Sequence, residues 1–282
     1  VLIPAPYWVS YPEMTRFAGA EPVVVPTTAD DEYKLAPEDL GAALTDRTRL
    51  VILCSPSNPT GAVYTPDELA ALADVLRAHD DVYVLSDEIY AHVTFGVEHV
   101  SFASLPGMKE RTITVNGFSK AYAMTGWRLG YMAAPKPIVQ AAAKIQGQFT
   151  SAPSSISQKA GVAALEMDMG PVREMVTAFR ERRDMVLERL NAIDGVHCPT
   201  PGGAFYLFPE VADYFGTTAP SGRSIDNSEA LCFYLLEEHN VALVHGDAFG
   251  APRGMRLSYA ASMDELATAL DRLETGFGAL RG

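Results

Sequence analysis

The sequence predicts an α/β fold: a large domain with a largely parallel sheet sandwiched by helices, and a smaller C-terminal α+β domain. In the first half of the chain, short apolar runs alternate with helical patterns, which is typical of parallel strands joined by helices. After about residue 170, one long charged helical pattern is followed by short strands and helices. We therefore expect a large domain over residues 1–170 and a small domain over residues 171–282.

The apolar segments of the first half are predicted strands, and polar residues follow them. The clearest strands are residues 50–54, 82–85, 112–115 and 129–133, and a further strand-like run opens the chain at Val1. Polar clusters follow three strands, at residues 55–61, 86–90 and 116–120. Parallel sheets bind ligands beyond the carboxyl ends of their strands. We therefore expect a binding site in these three loops.

A helix is predicted to begin after Thr65. Thr65 and Glu68 have the spacing of a capping box, and Pro66 takes the first helical position, where its missing N–H costs no hydrogen bond. The leucines at positions 69, 72 and 76 then recur at helical spacing and provide one apolar face.

The C-terminal part is predicted to contain helices at residues 171–193, 228–239 and 262–277. Strands are predicted at residues 241–244 and 254–259, a hairpin at 202–208 and a loop at 213–227. Charged residues 180–184 are expected on the exposed side of the long helix.

Composition excludes several classes of function. The chain has 282 residues, 48% of them hydrophobic, and a formal net charge of −13, which disfavours binding to the phosphate backbone of nucleic acid. No apolar run approaches the length of about 18–20 residues that a membrane span needs. Three cysteines without a CxxC pair argue against a disulfide framework or a structural zinc site. We expect no metal and a cytoplasmic, reducing location.

The start of the chain has no initiator methionine, basic segment or signal-peptide pattern. Because a strand-like run begins at Val1 itself, we expect the sequence to start inside a domain.

The most informative segment is residues 116–130, in which Lys120 directly follows a strand and Arg128 comes eight residues later. Lys120 is surrounded by glycine, serine and aromatic residues. A lysine in a partly desolvated pocket has a lowered pKa and can form a Schiff base with a carbonyl compound. Lys120 is therefore a candidate catalytic residue.

This segment resembles the cofactor-lysine signature of the class I aminotransferases, which are pyridoxal-phosphate enzymes of fold type I. Four further segments resemble the family in its order: residues 6–11, 57–61, 86–90 and 255–259. Their wording is most similar to the bacterial aspartate aminotransferase branch. The resemblance implies transamination between an L-amino acid, of the aspartate or glutamate type, and a 2-oxo acid. It also implies a homodimer with shared active sites.

The resemblance implies a role for each matching residue around pyridoxal phosphate. Lys120 forms the internal aldimine and afterwards moves the substrate proton as general base and acid. Asp87 pairs with the pyridine nitrogen. Tyr90 and Asn58 hydrogen-bond the phenolic oxygen of the cofactor, and Asn58 also lies near the substrate. Glu88, the neighbour of Asp87, is expected to be structural.

Four other residues match the family at the ring, the phosphate and the substrate. Trp8 is expected to stack on the pyridine ring, Ser119 and Arg128 to bind the phosphate, and Arg256 to clamp the substrate α-carboxylate. Gly117 departs from the family, which often has Ser or Thr there. The family's glycine-rich phosphate turn would lie before Val1.

Alternatives remain at this stage. A C–S β-lyase or a cyclopropane-forming synthase of the same fold would share Lys120, Asp87 and Arg256. Prephenate, aromatic or alanine substrates are compatible with the same residues. An aminotransferase-like sensor domain of a transcription regulator is a further alternative, and an inactive fragment of a transaminase is a third. For residues 203–206, strand packing and proximity to the substrate are equally compatible with the sequence.

Overall fold

A six-stranded sheet forms the centre of the computed structural model, which describes residues 1–281. Its strand order is β2-β1-β3-β4-β5-β6; the first five strands are parallel, and β6 is antiparallel to β5. The strands are β1 (Leu2–Ala5), β2 (Val23–Pro26), β3 (Leu50–Cys54), β4 (Tyr83–Asp87), β5 (Thr112–Gly117) and β6 (Gly130–Ala133). The predicted largely parallel sheet is confirmed. The edge strand β2 was not predicted.

Helices cover both faces of this sheet. The helices of the first part are α1 (Ser10–Phe17), α2 (Pro37–Ala43), α3 (Pro66–Arg77), α4 (Lys136–Phe149) and α5 (Ser155–Glu166). Val51 and Leu53 of β3 pack with α2 and α3 on one face, whereas Ile52 packs with Tyr11 of α1 on the other. The capping box is confirmed, because Thr65 accepts from the Glu68 N–H and its own N–H donates to the Glu68 carboxylate.

Within residues 170–281, the C-terminal part contains long α-helices and short antiparallel strands. The helices are α6 (Gly170–Asn191), α7 (Ser228–His239) and α8 (Met263–Ala279), and the strands are β7 (Tyr206–Leu207), β8 (Thr217–Thr218), β9 (Ser224–Ile225), β10 (Val244–His245) and β11 (Met255–Ser258). A three-stranded sheet has the order β10-β11-β7, and β8 pairs with β9. Helix α6 begins at the predicted domain boundary, but the division itself stays a prediction.

Three local predictions for this part are wrong. Residues 202–208 form no hairpin, because β7 pairs with β11, about fifty residues further along the chain. Residues 213–227 are not only loop, since they contain the β8–β9 pair. Arg183 does not lie on a solvated face: its side chain is 12% exposed, its guanidinium lies 4.8 Å from the Phe95 ring, and it donates to the Pro201 carbonyl. Helix α6 is held against neighbouring loops through this side chain.

A separate apolar core fills the C-terminal part. Leu231 and Leu235 of α7 and Leu270 and Leu273 of α8 contribute fully buried side chains to it. Phe95, from the loop after β4, joins the same core and ties it to the large sheet. Within residues 1–281, no helix combines the length and apolarity needed to cross a membrane.

Candidate active site

The three polar loops meet beyond the carboxyl ends of strands β3, β4 and β5, as expected. Cys54 at the end of β3 lies opposite Asp87 at the end of β4, and Asp87 lies opposite Val115 near the end of β5. Their register therefore places residues 55–61, 86–90 and 116–120 side by side beyond the carboxyl ends of the strands.

Asp87 is a mostly desolvated carboxylate without a cationic partner. Its Oδ2 accepts a 2.7 Å hydrogen bond from the Tyr11 hydroxyl, and its Oδ1 accepts from the Ile89 N–H at 3.2 Å. Burial raises the pKa of Asp87, while these two hydrogen bonds oppose the rise. No Lys, Arg or His in residues 1–281 forms an ion pair with it. A positively charged group on a ligand would therefore be favoured beside this carboxylate.

Glu88 has a different environment, although it is the next residue. It is buried and accepts hydrogen bonds from Ser101 at 2.7 Å and Ser86 at 3.0 Å, and its Oε2 lies 3.2 Å from His99 Nε2. Its carboxylate is satisfied by the protein itself. This agrees with the structural role expected for it.

Lys120 follows β5 and carries an amine with a lowered pKa. Desolvation is the largest cause, and the positive charges of Arg256 and Arg128 lower the pKa of Lys120 further. Its Nζ lies 5.8 Å from the centre of the Tyr90 ring and 5.5 Å from that of Phe205. No carboxylate in the described chain forms an ion pair with Lys120. The neutral, nucleophilic form of the amine is therefore more accessible than in an ordinary lysine.

Tyr90 and Tyr206 form a buried pair of phenols. Their hydroxyl oxygens are 3.1 Å apart, and their rings meet edge to face with centres separated by 5.9 Å. Burial raises the pKa of Tyr90 far above its ordinary value, and the neighbouring Tyr206 adds to this. The Tyr90 phenol is therefore protonated throughout the physiological range.

Arg256 on β11 reaches the same site from the C-terminal part. Its Nη1 donates a 3.0 Å hydrogen bond to Oδ1 of Asn58, which is 198 residues away in the chain. Its guanidinium carbon lies 4.7 Å from the Tyr206 ring centre and 5.0 Å from that of Phe249. A guanidinium has five N–H donors, so this group retains donors for a ligand carboxylate.

Three candidate residues, Trp8, Ser119 and Arg128, are exposed or only half-buried. Arg128 is exposed, has a left-handed backbone conformation with φ of 52°, and donates to the Thr125 carbonyl. Trp8 is 37% exposed and meets the Tyr11 ring edge to face. Ser119 is half-buried next to Lys120. Arg128 acts on Lys120 through its charge. Within residues 1–281, no side-chain hydrogen bond joins Ser119 to the other candidate residues.

Close packing at two glycines brings the C-terminal segment to the site. A Cβ on Gly203 would lie 2.6 Å from the Val93 carbonyl oxygen, and one on Gly61 would lie 2.4 Å from Pro201 Cβ. The Gly203 N–H donates to the Gly61 carbonyl at 3.0 Å. Gly117 is similarly tight, since a Cβ there would lie 3.0 Å from Gly130 Cα.

Sequence reasoning missed Tyr11 and left Tyr206 undecided. Both lie inside segments that had already been singled out, residues 6–11 and 203–206. Only the fold shows that Tyr11 bonds to Asp87 and that Tyr206 contacts both Tyr90 and Arg256. Tyr11 is 76 residues from Asp87 in the sequence, and Tyr206 is 116 residues from Tyr90. No local sequence pattern encodes contacts over such distances.

The available donors fit pyridoxal phosphate better than a metal. Lys120 offers an amine of lowered pKa, Asp87 offers a carboxylate without a cation for a protonated ring nitrogen, and Arg128 offers an exposed guanidinium for a phosphate. Among residues 1–281, no cluster of three or more His, Cys, Asp or Glu side chains is placed to hold a metal ion.

Comparison with known proteins gives matches along nearly the whole chain. A family model described as aminotransferase class I and II matches residues 1–273. The aspartate aminotransferase of Pinus pinaster is 54% identical over 285 residues, which cover 100% of this chain and 58% of the relative. A bifunctional aspartate aminotransferase and glutamate/aspartate-prephenate aminotransferase of Petunia hybrida is 54% identical over 278 residues, covering 97% of this chain and 58% of that relative.

The chain thus spans 58% of the length of these two curated relatives. Among solved structures, the crystal structure of the aspartate aminotransferase from Rhizobium meliloti matches with a TM-score of 0.96 at 46% identity. The match covers 99% of this chain and 70% of that one. The predicted α/β fold class is confirmed by this similarity.

Proposed function

The chain belongs to the class I and II aminotransferases, as its five motifs predicted, and on that basis we propose that it is part of a pyridoxal-phosphate-dependent transaminase. The proposed reaction exchanges the amino group of an aspartate- or glutamate-type L-amino acid with a 2-oxo acid. The similarity to aspartate aminotransferases from plants and from Rhizobium meliloti supports this substrate class.

The observation that carries the proposal is that Asp87 ends β4 and Lys120 follows the neighbouring strand β5, so both lie at the carboxyl end of the sheet. Lys120 has an amine whose pKa is lowered, and Asp87 has a carboxylate without a cation. Bound pyridoxal phosphate supplies an electron-withdrawing ring that stabilises the charge left when an amino acid loses its α-proton. Lys120 holds the cofactor covalently and, once its amine is free, accepts the α-proton as a general base. Asp87 keeps the ring nitrogen protonated.

The remaining candidate residues orient the two ligands. Tyr90 and Asn58 donate toward the phenolic oxygen of the cofactor, while Ser119 and Arg128 hold its phosphate. Arg256 binds the substrate α-carboxylate through a planar, bidentate contact, and its hydrogen bond to Asn58 fixes the guanidinium. In a separate role, Trp8 covers one face of the ring.

The test is turnover that depends on a 2-oxo acid. With pyridoxal phosphate bound, the chain should turn over L-aspartate repeatedly only when 2-oxoglutarate is added, and Lys120→Ala should lose this activity. Lys109→Ala, at an exposed position before β5, should retain it. Consumption of many equivalents of the amino acid per chain without 2-oxoglutarate would instead support a lyase of the same fold.

Prephenate is a second candidate amino acceptor. The relative from Petunia hybrida, 54% identical to this chain, is a glutamate/aspartate-prephenate aminotransferase as well as an aspartate aminotransferase. Turnover of aspartate with prephenate in place of 2-oxoglutarate would establish this activity, and no turnover would restrict the chain to 2-oxoglutarate-type acceptors.

We further propose that two copies of the chain associate. Helix α4 has no buried residue, and the exposed fraction is 76% for Phe149, 61% for Ile145 and 72% for Ile156, at the start of α5. Apolar surface of this kind is typical of an interface. Sedimentation equilibrium should give twice the chain mass of 30.4 kDa; a monomer at all concentrations would contradict the proposal.

A further inference from the structure

Tyr206 touches two residues of the proposed site at once. Its hydroxyl lies 3.1 Å from that of Tyr90, and its ring lies 4.7 Å from the guanidinium carbon of Arg256. Strand β7 holds it in place, since Tyr206 pairs with Ser258 of β11, two residues beyond Arg256. Pairing and burial leave Tyr206 little freedom to move.

The donors and acceptors around the two phenols indicate which of them donates the hydrogen bond. Each hydroxyl has one proton, and within residues 1–281 each has only the other as a partner. Tyr206 lies below a guanidinium, which offers donors and no acceptor, so the acceptor open to its proton is the oxygen of Tyr90. With Tyr206 donating, the proton of Tyr90 is free to donate to a ligand in the site. A phenol that accepts a hydrogen bond is also a stronger donor.

The ring of Tyr206 has a different contact. The guanidinium of Arg256 lies over an aromatic face, which attracts a cation, and its Nη1 is fixed by Asn58. An arginine held in this way loses less freedom when it binds a carboxylate. The ring therefore acts on substrate binding, whereas the hydroxyl acts on Tyr90.

We propose that Tyr206 is a positioning residue with two separable effects: its hydroxyl directs the Tyr90 proton toward the cofactor, and its ring orients Arg256 for the substrate carboxylate. This inference rests on the proposed function, because both effects concern ligands of a transaminase site. It adds a residue that links the cofactor side of the site with the substrate side.

The test compares Tyr206→Phe, which removes only the hydroxyl, with Tyr206→Leu, which removes the hydroxyl and the ring. With the cofactor bound, Tyr90 would donate to its phenolic oxygen, which also accepts a hydrogen bond from the proton on the lysine-bound nitrogen. A weaker Tyr90 donor leaves that proton more tightly bound. Tyr206→Phe should therefore raise the pH midpoint of the visible absorption band of lysine-bound pyridoxal phosphate by about 0.5 pH unit. Its KM for L-aspartate should stay unchanged.

Tyr206→Leu should show the same spectral shift and, in addition, a KM for L-aspartate raised by about tenfold, the size expected from a lost cation–π contact. Tyr234→Phe is the matched control, because Tyr234 is a buried tyrosine that donates to the Gly276 carbonyl away from the site. It should change neither quantity. If the leucine variant does not fold, Tyr206→Met replaces it.

The outcomes separate this inference from the proposed function. An unmodified chain that forms no absorption band with pyridoxal phosphate overturns both. An unmodified chain that forms the band, together with an unchanged midpoint in Tyr206→Phe, overturns the role of the hydroxyl alone. A KM in Tyr206→Leu equal to that in Tyr206→Phe overturns the role of the ring.

Discussion

The phenol of Tyr11 donates a 2.7 Å hydrogen bond to Oδ2 of Asp87, joining helix α1 to the end of strand β4 across 76 residues of sequence. Tyr11 is buried, and its position is set by packing against Ile3 and Ile52 on one face of the sheet. The apolar core beneath the sheet thus orients the carboxylate that faces the proposed cofactor.

Tyr11→Phe should destabilise the ionised form of Asp87. The hydrogen bond from Tyr11 lowers the pKa of Asp87 against the effect of burial, so its loss should raise that pKa further. In the transaminase assay, the acidic limb of the kcat profile should move to higher pH, and kcat should fall by about tenfold, the loss expected from one hydrogen bond to a charged group. An acidic limb at the same pH as in the unmodified chain would show that the bond has no electrostatic effect.

Asp87→Asn should stabilise the cofactor-free protein at neutral pH. Burial raises the pKa of Asp87 in the folded chain, so the folded state binds more protons than the unfolded state between the ordinary and the raised pKa. Stability therefore falls as the pH rises through this window. Asparagine removes the buried charge, so the free energy of unfolding measured in urea should increase and lose this part of its pH dependence. A lower stability at pH 7 would contradict the argument.

Lys120 should react faster than other lysines with an amine reagent below pH 9. Its lowered pKa gives more neutral amine at a given pH than an ordinary lysine has. Arg256→Met should slow the labelling of Lys120, because a positive charge that lowers its pKa is lost; Arg272→Met, far from the site in α8, should not. Equal labelling of Lys120 and Lys144 would refute the desolvated environment.

Arg256→Lys should mainly weaken substrate binding. Lysine keeps the charge but loses the planar pair of donors that matches a carboxylate, so the KM for L-aspartate should rise by about 10–100-fold with a smaller change in kcat. Steady-state kinetics measures both. A KM that is unchanged would exclude Arg256 as the carboxylate ligand.

Gly203→Ala should disturb the contact between the two parts of the chain. Its Cβ would lie 2.6 Å from the Val93 carbonyl oxygen, so the segment that holds Tyr206 must shift, at a cost of about 1–3 kcal/mol. Gly147→Ala is the control, since its Cβ meets nothing within 4 Å in helix α4; it should stabilise by about 0.5–1 kcal/mol. Urea denaturation distinguishes the two, and equal effects would contradict the packing argument.

Much of the large sheet could be predicted because its signals are local. Strands such as β3 are continuous apolar runs, and the start of α3 is marked by Thr65 and Glu68 at capping-box spacing. The edge strand β2 was missed. In the C-terminal part, two-residue strands such as β7 are too short for a periodic pattern, and their pairing depends on partners far along the chain.

The candidate site was predictable where a motif carries the residue and unpredictable where the fold makes the contact. Lys120, Asp87 and Arg256 stand in motifs, but the sequence does not show that Asn58 bonds to Arg256. The charge pattern around Arg183 predicted an exposed side chain, whereas its guanidinium lies over the Phe95 ring. Such packing of a charged side chain is visible only when both elements are in place.

The most direct test of the account is chemical identification of the lysine that holds pyridoxal phosphate. The chain is incubated with the cofactor, reduced with borohydride, digested and mapped by mass spectrometry. We expect the pyridoxyl group on Lys120, formed in a complex whose visible absorption changes when L-aspartate is added before reduction. Label spread over exposed lysines such as Lys144 and Lys159, with none on Lys120, would contradict the proposed site.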